Sequence, residues 1–139
     1  MPEFERFFIS QVGILIRDNK CLILEFSKYP NKWGLPGGRI DKGEMSEEAF
    51  RREFREELGF DDFEIFDLID HEIFYTESKN AYCAIVKYVE NSDSEISLSH
   101  EHLQYKWISE DEIDKINFIW KNLPRMIKRG FEYHRKLKK

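Results

Sequence analysis

Two apolar runs of strand length open the chain. Residues 7–17 and 21–26 are rich in Phe, Ile, Leu and Val, and the turn-forming triplet Asp18-Asn19-Lys20 separates them, so they predict a pair of strands. Pro30, Gly34, Pro36, Gly37, Gly38 and Gly43 then crowd one segment with breakers, which predicts a loop without regular structure. The period changes at residue 46. Phe50, Phe54 and Leu58 recur at i, i+4 and i+8 and mark the buried stripe of a helix over residues 46–58. Ser46 reads as its N-cap, Glu47 and Glu48 suit the positive end of its dipole, and Gly59 suits the left-handed position that closes it.

Residues 63–76 and 81–90 predict two further strands around Ser78-Lys79-Asn80, and residues 82–89 are apolar enough for a sheet interior. A short strand at residues 105–108, a short helix capped by Ser109 and reaching Ile113, and an amphipathic helix between residues 118 and 135 complete the pattern. Strands and helices alternate irregularly, with hairpins among them. That predicts an α/β fold of the α+β type, a mixed β-sheet sandwiched between helices rather than a doubly wound parallel one. No repeat or linker divides the chain, so residues 1–139 are expected to form a single domain.

Composition fits a packed globule: 41% of residues are hydrophobic and 15% aromatic. Cys21 and Cys83 sit in apolar strand-like runs and read as reduced core residues. No apolar run approaches the roughly 18 residues of a membrane span, and the stretch from Met1 to Arg6 lacks a signal-peptide pattern, so a cytoplasmic protein without membrane partners is expected. The net charge of −5 is unevenly spread. Residues 121–139 carry eight Lys and Arg against Glu132 alone. Such a tail suits polyanions, but no aromatic residues interleave its charges as on a nucleic-acid platform. The reading favoured is a helix end whose cations complement its dipole. A small-molecule partner is expected, and the oligomeric state, monomer or homodimer, stays open.

The candidate chemistry sits on the first helix. Glu53, Glu56 and Glu57 are spaced i, i+3, i+4 beside the buried stripe, so their carboxylates are expected to converge. Converging anions repel one another unless a cation lies between them, and a hard divalent ion with oxygen ligands answers that need. A solvated, salt-bridged helix face is the competing explanation, since Glu47–Arg51, Glu48–Arg52 and Arg52–Glu56 are all i, i+4 pairs. The preceding Gly34-Leu35-Pro36-Gly37-Gly38 lets backbone approach a ligand closely, and Glu44 adds another carboxylate before the helix.

Residues 38–60 read G-x5-E-x7-R-E-F-R-E-E-L-G-F. This resembles the Nudix box, G-x5-E-x7-R-E-U-x-E-E-x-G-U with U a bulky apolar residue. Gly38, Glu44, Arg52, Glu53, Glu56, Glu57 and Gly59 occupy its fixed positions, and Phe54 and Phe60 its U positions. Trp33 to Gly38 resembles the family's lead-in, and Glu101 with Tyr105-Lys106-Trp107-Ile108 its later strand. The resemblance implies magnesium-dependent hydrolysis of a diphosphate linkage in a nucleotide by water, with Mn²⁺ as a substitute ion. It implies Glu53, Glu56 and Glu57 as metal ligands with the Gly37 carbonyl, Arg52 orienting the glutamates, Glu44 supporting the loop, and either Glu53 or Glu101 as general base. Trp33, Tyr75 and Phe118 are candidates for stacking on a base. Asn122-Leu123-Pro124 matches either a purine-contacting element or a helix start, and the helix start is preferred. His71, His100, His102 and His134 show no metal-site spacing. A catalytically silent nucleotide sensor and an RNA 5′-end pyrophosphohydrolase are the alternatives. An isomerase on the same scaffold would need a catalytic Cys in the site.

Overall fold

A hairpin begins the structure, a computed structural model that describes residues 2–139; Met1, the first residue of the expected domain and of the N-terminal stretch, lies outside the described residues. Strand β1 (Phe8–Arg17) turns back into β2 (Lys20–Phe26) through Asp18 and Asn19, with φ of 50° and 61°. Two consecutive left-handed residues make the tight turn whose twist matches a hairpin, and Asp and Asn tolerate that conformation. Arg17 pairs with Lys20 and Ile16 with Cys21, after which the strands diverge.

β1 is the spine of a mixed sheet. On one side it runs parallel to β6 (Ala81–Glu90), from Phe8↔Tyr82 to Leu15↔Val89. On the other side β4 (Gly37–Arg39) pairs with Ser10, Gln11 and Val12, below the part that pairs with β2. β2 also carries β3 (Trp33–Gly34) and β7 (His102–Ile108), and β5 (Glu64–Tyr75) lies antiparallel to β6 at the edge, giving the order β3-β2-β1-β6-β5. The breaker-rich segment is therefore not irregular throughout. Its residues supply β3 and β4, because β1 and β2 splay apart and leave backbone groups that must find partners.

Helix α1 (Ser46–Leu58) packs on one face of the sheet and α2 (Leu123–Leu137) on the other. Alternation along β1 divides its side chains: Ile14 and Ile16 join the α2 core, and Leu15 joins the α1 core with Leu22, Leu24, Phe50, Phe54 and Leu58. Each such fully buried side chain contributes about 1.5–3 kcal/mol. The α1 stripe is as its period predicts, and Gly59 closes the helix at φ 85° with its N–H on the Arg55 carbonyl. Ser46 is not the cap, however. Met45 holds that position without a side-chain bond, and the Ser46 carbonyl accepts Gln11 Nε2 at 2.8 Å.

β7 starts at His102, three residues earlier than predicted, because β2 offers a full-length partner. Ser109 does begin a short 3-10 helix (Glu110–Lys115), and its N–H donates to Glu112 Oε1 at 2.9 Å. α2 begins only at Leu123, since residues 117–119 bind β3 instead: Trp33 N–H donates to the Asn117 carbonyl and Ile119 N–H to the Trp33 carbonyl. Both cysteines are free, and burial pushes the Cys21 thiol up to about 12, as suits a core residue. Among the described residues, no helix is long and apolar enough to cross a membrane.

Candidate functional site

The site forms where α1, β4 and the start of β7 meet. Glu53 and Glu57 lie one turn apart at the border of the buried stripe of α1. Glu57 is only 5% exposed, and the Glu53 side chain 17%. Glu53 lies so close over the β4 backbone that a Cβ on Gly38 would collide with its carboxylate. That close approach is what glycine permits at this position. Burial raises the pKa of both acids. For Glu57, pushed well above the usual range, desolvation leads, the neighbouring Glu53 adds to it, and a backbone hydrogen bond from Gly37 opposes it. For Glu53 desolvation again leads, opposed by Arg52. Glu57 Oε2 is buried without a hydrogen-bond partner. Such an orphan acceptor costs about 1–3 kcal/mol until a donor or a cation meets it.

Arg52 ties the loop to the helix. Its Nε donates to Glu44 Oε2 at 2.6 Å and Nη2 to Glu44 Oε1 at 2.9 Å, a two-pronged pair that holds Glu44 below its usual pKa. The Asp41 amide donates to the same carboxylate at 2.8 Å. Arg52 Nη1 reaches Glu53 Oε1 and Glu56 Oε2, each at 3.1 Å, and Nη2 donates to the Arg39 carbonyl at 3.2 Å. One guanidinium therefore touches Glu44, Glu53 and Glu56.

The expected convergence of three carboxylates holds for two. Glu56 is drawn toward Arg52 and its side chain is 57% exposed. Among the described residues no three His, Cys, Asp or Glu side chains are gathered closely enough to hold an ion. Of the competing salt-bridge pairs, Glu47–Arg51 and Arg52–Glu56 form, whereas Arg52 turns to Glu44 rather than to Glu48.

A β-bulge brings one more residue to the site. β7 pairs in regular register with β2 from Cys21↔Ile108 to Glu25↔Gln104, and then Phe26 pairs with His102, leaving Leu103 as the extra residue. An extra residue reverses which face the following side chains occupy. His102 is thereby turned against Phe26, ring centroids 5.2 Å apart, and toward Glu57, with Nε2 3.6 Å from Oε2. Glu101 precedes it, exposed, its charge felt by both Glu53 and Glu57. The Glu101 carbonyl accepts Ser27 N–H at 2.9 Å, which fixes this corner to the end of β2.

The residues expected to stack on a base are not gathered with these acids. Trp33 is 5% exposed, sealed into the α2-side core by its pairing with Glu25 and its bridge to Phe118. Phe118 packs against that same core. Tyr75 is exposed, but on edge strand β5, two strands from β1, with its hydroxyl on Glu5 at 3.0 Å. Asn122 occupies the cap position of α2 in helical conformation, without a capping bond, and its Oδ1 is buried and unpartnered. An open groove of about 620 Å³ between Lys121, Arg125, Arg129 and Arg135 also lies along α2, away from the carboxylates. Its cations are largely engaged: Arg125 and Arg129 with Asp70, and Arg135 with Glu110.

A loop fastened by Glu44 and Arg52, a glycine under Glu53, and one buried and one half-buried acid on α1 are the three-dimensional form of the 38–60 motif. The profile of the NUDIX domain family matches residues 8–129. The chain belongs to the Nudix family. Among relatives of this Nudix domain is the asymmetrical bis(5'-nucleosyl)-tetraphosphatase of Caenorhabditis elegans, 31% identical over 98 residues, covering 68% of this chain and 71% of that protein. The nucleoside triphosphatase NudI of Salmonella arizonae is 44% identical over 50 residues, which span 32% of this chain and only 36% of that protein. Two solved structures share the Nudix fold at low identity. The MutT protein of Methanosarcina mazei superposes with a TM-score of 0.81 at 24% identity, covering 97% of this chain and 99% of that one. A C. elegans Ap4A hydrolase gives 0.80 at 20%, covering 93% and 98%.

Two residues around these acids carry no functional signal in the sequence. Gln11, 1% exposed, joins β1 to the start of α1 through its amide nitrogen. His102 has no metal-site spacing to other ligands, and only the bulge, invisible in the sequence, turns it to Glu57.

Proposed function

We propose that this Nudix domain hydrolyses a diphosphate linkage in a nucleotide, with a divalent cation, Mg²⁺ or Mn²⁺, held by Glu53 and Glu57. The observation that carries the reading is a pair of carboxylates one turn apart, Glu57 buried and Glu53 half-buried, whose charges oppose each other. The donor set is oxygen and anionic, which fits a hard ion, and a cation there would offset the burial that raises both pKa values. Glu56, beside Glu57 on the helix, and the carbonyl of Gly37, whose amide bonds Glu57, would complete the set with water. When bound, such an ion lowers the pKa of water and neutralises charge on the phosphoryl oxygens.

The chain's own residues supply orientation and the proton path. Arg52 holds Glu53 and Glu56 in place and is itself held by Glu44. Glu101, on the exposed rim with its charge felt by Glu53 and Glu57, takes the proton from the attacking water. The water oxygen bonds to phosphorus, the bridging P–O bond breaks, and the leaving phosphate carries away the bond's electron pair.

Of the two relatives' activities, that of the longer alignment favours a dinucleoside polyphosphate over a nucleoside triphosphate as substrate. The test is a panel of dinucleoside tetraphosphate, nucleoside triphosphates, a nucleotide sugar and 5'-triphosphorylated RNA, incubated with Mg²⁺ and resolved by ion-exchange chromatography. Asymmetric cleavage of the tetraphosphate to a triphosphate and a monophosphate, fastest of the panel, is the expected result. Faster release from RNA ends would move the assignment there. Nucleotide binding without turnover under Mg²⁺ or Mn²⁺ would make the chain a sensor.

A further inference from the structure

Resting on the reading of Glu57 as a metal ligand, we propose that His102 is a positioning residue for that carboxylate, set in place by the Leu103 bulge. Both side chains are buried, Glu57 5% and His102 7% exposed, and neither is satisfied: Glu57 Oε2 and His102 Nδ1 have no hydrogen-bond partner. They face each other at 3.6 Å, too long for a hydrogen bond and too short to admit a water between them. A closing movement of about half an ångström gives an Nε2–H···Oε2 bond of ordinary length.

The tautomer follows from the surroundings. Nδ1 has no acceptor, and a buried N–H without one is rarely tolerated, so the proton of the neutral ring belongs on Nε2, where it points at the carboxylate. The ring plane is braced by Phe26, and the backbone by the His102 N–H on the Ser99 carbonyl at 3.3 Å. Without Leu103 as an extra residue, strict alternation would place His102 on the other face of the sheet. One oxygen of Glu57, fixed by His102, leaves the other to bind the ion in a single orientation. Outer partners of this kind commonly set metal affinity by about 10–100-fold.

The test measures Mn²⁺ binding to the full chain by isothermal titration calorimetry without substrate, beside melting temperature in chelator. His102→Leu should weaken Mn²⁺ binding by about tenfold or more, without lowering the melting temperature of the metal-free protein. His102→Gln, whose amide nitrogen reaches the place of Nε2, should bind nearly as the unaltered chain does; His102→Asn, whose nitrogen falls at Nδ1, should resemble the Leu variant. These amide variants decide the matter if the Leu variant does not fold. Equal binding by all the variants, or equal weakening in Gln and Asn, overturns the proposal and leaves His102 a packing residue. Glu57→Gln is run in parallel. If it too binds Mn²⁺ normally, the metal-site reading fails; if it alone loses binding, only the role of His102 fails.

Discussion

At Glu57 a carboxylate is buried where desolvation and the charges of Glu53, Glu101 and Glu56 oppose its ionisation, and the Gly37 amide favours it. Replacing it with Gln keeps the volume and removes the charge. Hydrolysis should fall by several orders of magnitude in a nucleotide assay, because the ion and its activated water go together. Stability should move the other way. The folded pKa of Glu57 is raised, so its contribution to stability is complete below the unfolded carboxylate value and is lost as pH rises through the folded one. In chelator, Glu57→Gln should therefore melt no lower than the unaltered chain at pH 8, and its advantage should shrink toward pH 4. A variant that melts lower at pH 8 would mark a structural salt-bridge face. Glu101→Gln tests the base: kcat should drop by roughly 10²-fold with KM nearly unchanged, and a near-normal kcat would return that role to Glu53. These acids were legible in the sequence, since spacing on a helix fixes which side chains are neighbours. The outward turn of Glu56 was not, because one guanidinium shared among Asp41, Glu44, Glu53 and Glu56 is a matter of tertiary distance.

Among elements, α1 holds the site by packing. Phe54 is fully buried on β1 and β2 side chains and meets Phe50 and Phe63 in tilted contacts at centroid distances of 4.9 and 4.6 Å. Phe54→Ala should cost about 3–5 kcal/mol in urea unfolding, and surviving folded protein should bind Mn²⁺ more weakly because Glu53 and Glu57 flank that position. A loss under 1 kcal/mol would show that α1 is not anchored there. The helix and both hairpins were readable from period and turn residues alone. β3 and β4 were not, because glycine and proline forbid little when the splay of two other strands decides the pairing. Trp33 illustrates the same limit: an aromatic beside a glycine loop looks available to a ligand until a strand and residues 117–119 close over it.

Across the whole molecule, the two helices divide the labour between the faces of the sheet. The acids of the site belong to α1, while the cations of α2 bind Asp70, Glu72, Glu110 and Asp114. Deleting residues 135–139 should leave turnover of a small nucleotide within about twofold, since exposed charges on the far face are screened at physiological salt. A larger loss, unrelieved by low salt, would show that α2 reaches the chemistry.

The ladder between β2 and β7 also governs when the site comes into being. It joins Glu25 to Gln104 and Phe26 to His102, residues nearly eighty positions apart, so the corner that carries Glu101 and His102 docks only after a long loop has closed. The loop and α1, by contrast, are contiguous in sequence. A refolding chain should thus acquire the helix early and metal affinity late. Contacts absent from the transition state govern unfolding alone. Millimolar Mg²⁺ should slow unfolding in stopped-flow denaturant jumps and leave the refolding rate unchanged, so that the ion acts as a latch on the finished fold rather than a template for it.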